Sequence, residues 1–256
     1  MGARVTDSGF QPRISLENAS ASYGRHEVFR NLSLRVDGGE ILAVLGPNGR
    51  GKTTLIKTVV GSLRLTAGTR SVTGTIGYLP QAAQTTFDFT ARDMVMMGRA
   101  RSIGLFGSPR NADYRAVDAA LQRLNLSDLA ERPITTLSGG EWQLVAVARA
   151  LAGDCNILVL DEPASALDLR NQRLLFETLR DLARRDGMAI VFTTHVPGHA
   201  FAAADSALLM HGTGELAVGR IEDTLTDAAL TRLYGTPVRV IAAGNGAARE
   251  AAAIAV

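Results

Sequence analysis

The chain has 256 residues, 46% hydrophobic and 20% charged, which is ample for a hydrophobic core without disulfide or metal staples. Its 27 basic and 25 acidic residues leave a net charge of +2 and no dense Lys/Arg block, which gives no support to a nucleic-acid footprint. No apolar run reaches the ~18 residues of a membrane helix, so any work at a membrane requires another chain to span it.

Met1–Thr6 lacks the apolar core of a signal peptide. Ile14–Ser20 and Leu32–Val36 alternate apolar and polar residues, as half-buried strands do. Asp37-Gly38-Gly39 forms a turn, and Ile41–Leu45 is continuously apolar, the pattern of a strand covered on both faces. A glycine-rich loop follows, then a helix over Lys52–Val60 and a short strand over Thr75–Leu79. Thr90 caps a helix through Met97, and Asn111 or Asp113 begins another to Leu124, with a loop over Gly98–Pro109 between them. Ser138, with Glu141 three residues on, is a capping-box start for a helix to Leu151. The single Cys155, entering the next apolar run, reads as a buried structural thiol and fits a reducing compartment. Strands over Ile157–Asp161, Ala189–Thr194 and Ala207–Met210 then alternate with a helix over Leu169–Arg184. The expected fold is α/β, with a mostly parallel sheet interrupted by a helical insertion. Residues 1–11 and 242–256, the latter mostly Ala and Gly, read as weakly ordered tails.

Gly46-Pro47-Asn48-Gly49-Arg50-Gly51-Lys52-Thr53 matches the phosphate-binding P-loop pattern between a strand and a helix. Such glycines let successive backbone N–H groups curl around phosphate oxygens, and the helix that follows points its positive end at the same anion. Lys52 would reach the β- and γ-phosphates, and the Thr53 hydroxyl would bind Mg²⁺. Ile157-Leu158-Val159-Leu160 delivers Asp161 and Glu162 to the edge where open α/β sheets bind ligands. Asp161 would hold Mg²⁺ and Glu162 would polarise the attacking water. Leu137-Ser138-Gly139-Gly140-Glu141 makes a second anion site at a helix N-terminus, suited to another molecule's nucleotide.

These three motifs, in this order, resemble the ATP-binding-cassette (ABC) ATPases, whose signature is Leu-Ser-Gly-Gly-Gln. The resemblance covers roughly residues 14–240. It implies a RecA-like P-loop NTPase core over residues 12–240, with an N-terminal antiparallel β subdomain and an α-helical signature subdomain inserted at 82–152. ATP and Mg²⁺ are the implied ligands. Tyr23 resembles the aromatic that stacks on adenine, Thr54 completes the P-loop, and Gln81 resembles the glutamine that touches Mg²⁺ and water and links the two subdomains. Ser165-Ala166-Leu167-Asp168 resembles the loop that crosses the dimer interface in that family, which implies that Ser138, Gly139, Gly140, Glu141 and Asp168 would face the partner chain's ATP. His195 resembles the histidine that contacts the γ-phosphate; His26, His199 and His211 receive no role. Three residues depart from the family pattern: Arg50 at a position often small, Glu141 for Gln, and Val196 where Asp is common after the histidine.

The resemblance implies a peripheral subunit on the cytoplasmic face of the membrane, dimerising around two ATP and driving integral-membrane permease subunits. Met96-Met97-Gly98-Arg99, Gly104–Pro109, Pro197–Ala200 and Leu233–Val238 resemble cassettes of metal-chelate importers, which handle iron-siderophores, haem, cobalamin and in some members molybdate. An extracytoplasmic substrate-binding protein would then act upstream. The alternatives are a zinc/manganese importer or an exporter, and, in another class, an ABC ATPase not linked to transport. The permease is expected to dock near Gln81–Pro109, where Ile103, Leu105 and Phe106 sit close together.

Overall fold

The computed structural model describes residues 12–80, 89–104, 107–212, 214–243 and 250–255. The chain opens with β1 (Pro12–Tyr23) and β2 (His26–Asp37), paired antiparallel, each longer than the alternation predicted. β3 (Ile41–Leu45) leads into α1 (Lys52–Val60), which ends at Gly61 in the left-handed region (φ 86°). β4 (Ala67–Val72) adds to the free edge of β1. This strand was not predicted, because Ala-Gly-Thr-Arg-Ser-Val lies almost wholly exposed and is held by ladder hydrogen bonds rather than by an apolar face. β5 (Ile76–Leu79) returns to the second sheet.

Between β5 and β6 the described chain is helical. Thr90 caps α2 (Ala91–Met96) through a capping box with Asp93, as expected of its sequence. The stretch predicted as a loop over 98–109 is in part helical: a 3₁₀ turn over Met97–Arg99 runs into α3 (Ala100–Ile103). The cause is tertiary. Arg99 is buried and its guanidinium bonds Asp113 (3.0 Å), the Ala152 carbonyl (3.0 Å) and Asp154, which holds the turn against its neighbours. α4 (Asn111–Arg123) and α5 (Gly139–Leu151) complete the insertion.

β6 (Ile157–Leu160), α6 (Leu169–Asp186), β7 (Ala189–Thr194), α7 (Pro197–Ala203), β8 (Ser206–Gly212) and β9 (Glu215–Arg220) follow. The second sheet runs β5-β6-β7-β3-β8-β9, parallel throughout except for β9. Its central strands read as continuous apolar runs because they serve two cores. Ile41, Leu45, Leu158, Leu160, Ile190 and Phe192 face the helical insertion and α6. Leu42, Val44, Ile157, Val159 and Val191 face α1 and the N-terminal sheet.

The chain then forms α8 (Ile221–Thr224), α9 (Asp227–Tyr234), β10 (Val238–Ala243) and β11 (Glu250–Ala255). Of the residues expected to form a weakly ordered tail from 242, 242–243 belong to β10 and 250–255 to β11, which pair antiparallel, and the others lie outside the described residues. β10 is itself pinned to α9, by Val238 N–H on Thr231 Oγ1 (3.0 Å) and Val240 N–H on Asp227 Oδ1 (2.7 Å). An alanine-rich strand on that template needs only backbone ladder bonds. Residues 1–11 lie outside the described residues.

Gly98 shows how closely the insertion packs. A Cβ there would collide with the Arg149 carbonyl oxygen on α5. Gly98→Ala should therefore destabilise the chain by about 1–3 kcal/mol, as overpacked cores do. Denaturant unfolding measures this, and an unchanged midpoint would show that the two elements can part without cost.

Candidate functional site

The carboxyl edge of the parallel strands carries the Gly46–Thr54 segment, Asp161, Glu162 and His195. The loop from Gly46 to Gly51 joins β3 to α1, and α1 begins at Gly51 (φ 94°) without a side-chain cap. Its first amides are thus left open to an anion. Gly51 admits no side chain, because a Cβ would collide with Val28. A cavity of about 470 Å³ opens over the loop, lined by Tyr23, Asn48, Gly49, Lys52, Thr53 and Glu162 among others. Tyr23, at the end of β1, is half exposed within it, so the first sheet places an aromatic beside the loop. Thr54 also lines the cavity.

Lys52 is buried, and its Nζ donates to the Gly46 carbonyl (2.7 Å) and the Pro47 carbonyl (3.3 Å). It also stands 3.2 Å from Glu162 Oε1. The other Glu162 oxygen, Oε2, lies 3.0 Å from His195 Nδ1. Glu162 adopts φ 50°, in the left-handed region, a strained conformation for a non-glycine residue that recurs at functional sites. Asp161 is buried one residue earlier and accepts from Thr53 Oγ1 (2.8 Å) and Thr193 Oγ1 (2.6 Å). Thr193 was not singled out in the sequence. Its hydroxyl also accepts from the Glu162 amide (2.8 Å), so it holds both acids, and only the β6–β7 pairing reveals it.

The residues predicted to form a second anion site lie elsewhere. Ser138, Gly139, Gly140, Glu141 and Asp168 do not line this cavity. Ser138 caps α5, with its Oγ accepting from the Glu141 amide (3.2 Å) and its own amide donating to Glu141 Oε2 (2.7 Å). That backbone bond holds the Glu141 carboxyl below its usual range, and Arg132 stands 3.5 Å away. Asp168 caps α6 by accepting from Asn171 N–H (2.8 Å). Arg50 extends beside Gly212 at the end of β8. Gln81, Leu105 and Phe106 lie outside the described residues, and Ile103 is half-buried at the end of α3.

Thr53 and Asp161 offer a hydroxyl and a carboxylate 2.8 Å apart, and no cluster of three metal-ligating acids, histidines or cysteines occurs among the described residues. A hard cation that keeps waters and phosphate oxygens as its remaining ligands, as Mg²⁺ does, suits so sparse a set.

Residues 29–165 match the family described as ABC transporter. The chain belongs to the ABC transporter family. It is 40% identical over 226 residues to the molybdate import ATP-binding protein MolC of Haemophilus influenzae, covering 88% of this chain and 89% of that one. It is 34% identical to the manganese transport system ATP-binding protein MntB of Bacillus subtilis, covering 87% of this chain and 92% of that one. A solved inward-facing structure, of a transporter assigned to the metal-chelate type, superposes with a TM-score of 0.89 at 37% identity, covering 96% of this chain and 98% of that chain. The protein is therefore an ATP-binding ABC ATPase, a transporter subunit with an α/β P-loop NTPase fold. No helix among its described residues is long and apolar enough to cross a membrane.

Beside the ATPase site, burial, reinforced by repulsion from His195, pushes the His199 imidazole down to about 4. The unfolded chain would bind a proton that the folded chain refuses between pH 6.5 and about 4. The stability that His199 contributes is thus full above pH 6.5 and is lost as pH falls toward 4. The melting temperature should decline over that window, and His199→Asn should flatten the decline. An equal slope in the variant would assign it to other groups.

Proposed function

We propose that this ATPase is the energising subunit of a metal-chelate type importer, at the cytoplasmic face of the membrane. Its likeness over 96% of the chain to a transporter assigned to that type carries the reading. The Met96–Arg99, Pro197–Ala200 and Leu233–Val238 strings support it. A zinc/manganese importer is the second reading, favoured by the 34% identity to the Bacillus subtilis manganese transport protein. Uptake separates them. Cells lacking this chain should lose accumulation of labelled ferric siderophore or haem and keep that of manganese and zinc. Loss of manganese uptake alone would overturn the cargo assignment.

In this reading the ABC ATPase domain spans 12–240, with the helical subdomain 82–152 inserted. Gly46 to Thr54, with the amides of the loop and the Lys52 ammonium, cradle the phosphates of ATP, and Tyr23 stacks on the adenine. Thr53, Asp161 and Gln81 would hold Mg²⁺, which neutralises phosphate charge when bound. Glu162 orients and polarises the attacking water, and His195 contacts the γ-phosphate. A second copy supplies Ser138, Gly139, Gly140, Glu141 and Asp168 to the same nucleotide, so each ATP lies between two chains. Hydrolysis releases the pair, and that motion reaches permease subunits docked on the insertion near Gln81–Pro109. The exposed Met97 and Tyr114 of the insertion suit such a contact. An extracytoplasmic binding protein would deliver the cargo.

Glu162→Gln removes the carboxylate and leaves the loop that binds phosphate. Hydrolysis should fall by ~10²–10⁴-fold while ATP affinity is retained. Size-exclusion chromatography with ATP should then show a stable dimer. Near-normal turnover in this variant would remove Glu162 from the chemistry.

A further inference from the structure

His195 is half exposed and touches one catalytic group, Glu162. The residue after it, Val196, has no polar atom in its side chain to fix the turn. The turn is nevertheless tied on both sides. Thr194 is buried at the end of β7, and its hydroxyl accepts from the Val196 amide at 3.0 Å. The same oxygen lies 2.9 Å from His199 Nδ1, on α7. A hydroxyl carries one proton. The other acceptor in reach, the Val196 carbonyl, is 3.5 Å away, so the proton goes to His199 Nδ1. That bond requires an imidazole unprotonated at Nδ1, which the burial of His199 favours. The ring is in turn set by Phe176, with centroids 5.0 Å apart, and Phe176 packs on Phe192 of β7 at 5.6 Å. In addition, Tyr234 Oη on α9 donates to the His195 carbonyl at 2.8 Å.

We propose that His199 and Tyr234 are positioning residues for hydrolysis: together they fix the backbone that aims the His195 imidazole at Glu162 and the γ-phosphate. The proposal rests on the reading of His195 given above. Neither residue touches the nucleotide cavity, since His199 acts through Thr194 and Tyr234 through a main-chain carbonyl. The arrangement does what an acidic side chain at position 196 cannot do here, because that position is Val. Displacement of a reacting group by about 1 Å costs on the order of 10²-fold, so a turn free to re-orient would lower turnover without weakening ATP binding.

A purely structural role makes a different forecast, because activity would then follow stability. Three variants of the full chain separate the two. His199→Phe keeps a ring against Phe176 and removes the acceptor. His199→Asn places an acceptor oxygen where Nδ1 stands and removes the ring. Tyr234→Phe removes one hydroxyl. ATP hydrolysis and melting temperature are measured for each, with His195→Ala alongside. On the positioning account, His199→Phe loses about 10-fold in kcat at unchanged ATP KM and melts near the parent. His199→Asn melts lower yet stays within about 3-fold of parental kcat, and Tyr234→Phe loses kcat at unchanged KM. Activity then tracks the acceptor while stability tracks the ring. Parental kcat in both His199→Phe and Tyr234→Phe, with His195→Ala impaired, overturns the positioning role alone. Rates that follow melting temperature, with Asn below Phe, overturn it as well. Parental kcat in His195→Ala overturns the reading of His195 on which it rests.

Discussion

The buried ammonium of Lys52 is the constraint around which the site is arranged. A cation this far from water needs partners on every side, because an unpaired buried charge costs several kcal/mol. Lys52 finds them in two carbonyls of its own loop and in Glu162, two residues past the end of β6. The loop therefore curls back over its side chain, bringing the Gly46 and Pro47 carbonyls to Nζ. The same requirement draws Glu162 into place at φ 50°, and Thr193 secures its amide there. In the proposed reading, a phosphate at the loop would compete with Glu162 for this cation, which would couple Glu162 to occupancy of the loop.

Sequence reasoning reached the elements whose cause is local or periodic. β3, β6 and β7 were legible because burial on both faces leaves unbroken apolar runs, and the loop after β3 because phosphate geometry restricts its residues. The caps at Thr90 and Ser138 were legible because each bond spans three residues. β4 was not, because it is an exposed strand held by its neighbour's backbone. Thr193, His199 and Tyr234 escaped for a related reason. The strings Pro197–Ala200 and Leu233–Val238 did not show what His199 and Tyr234 bond, and the partners of the three lie 31, 5 and 39 residues away, brought close by strand pairing and by α7 and α9.

The departures from the family pattern become intelligible in the same terms. Glu141 brings a negative charge to a helix start that is proposed to meet phosphate. Its carboxylate is taken up by the Ser138 amide, with Arg132 close by. The charge is thus directed into the cap and away from the face of the helix, and the helix dipole stabilises it there. Arg50 extends beside Gly212 on β8, so its bulk leaves the phosphate-facing surface of the loop clear. Neither change requires the cradle to be rebuilt.

Strand register explains why these groups meet at all. In the sheet β7 lies between β6 and β3, and all three are parallel. Leu160 of β6 stands opposite Phe192 of β7, so Glu162, two residues on, falls level with Thr194. Thr194 in turn stands opposite Leu45 of β3, the last residue before the loop. One step beyond that common level come His195 from one strand and Gly46 from the other. A parallel sheet sends all its strand ends to one edge. With this register, the loop, the acid and the histidine arrive at the same height on that edge, where side chains of ordinary length close the remaining 3.0–3.2 Å gaps to Glu162. A slip of one residue in β7 would move His195 off that level and exchange which of its side chains face the two cores. The alternating apolar residues that fill both cores therefore also fix the alignment of the loop, Glu162 and His195.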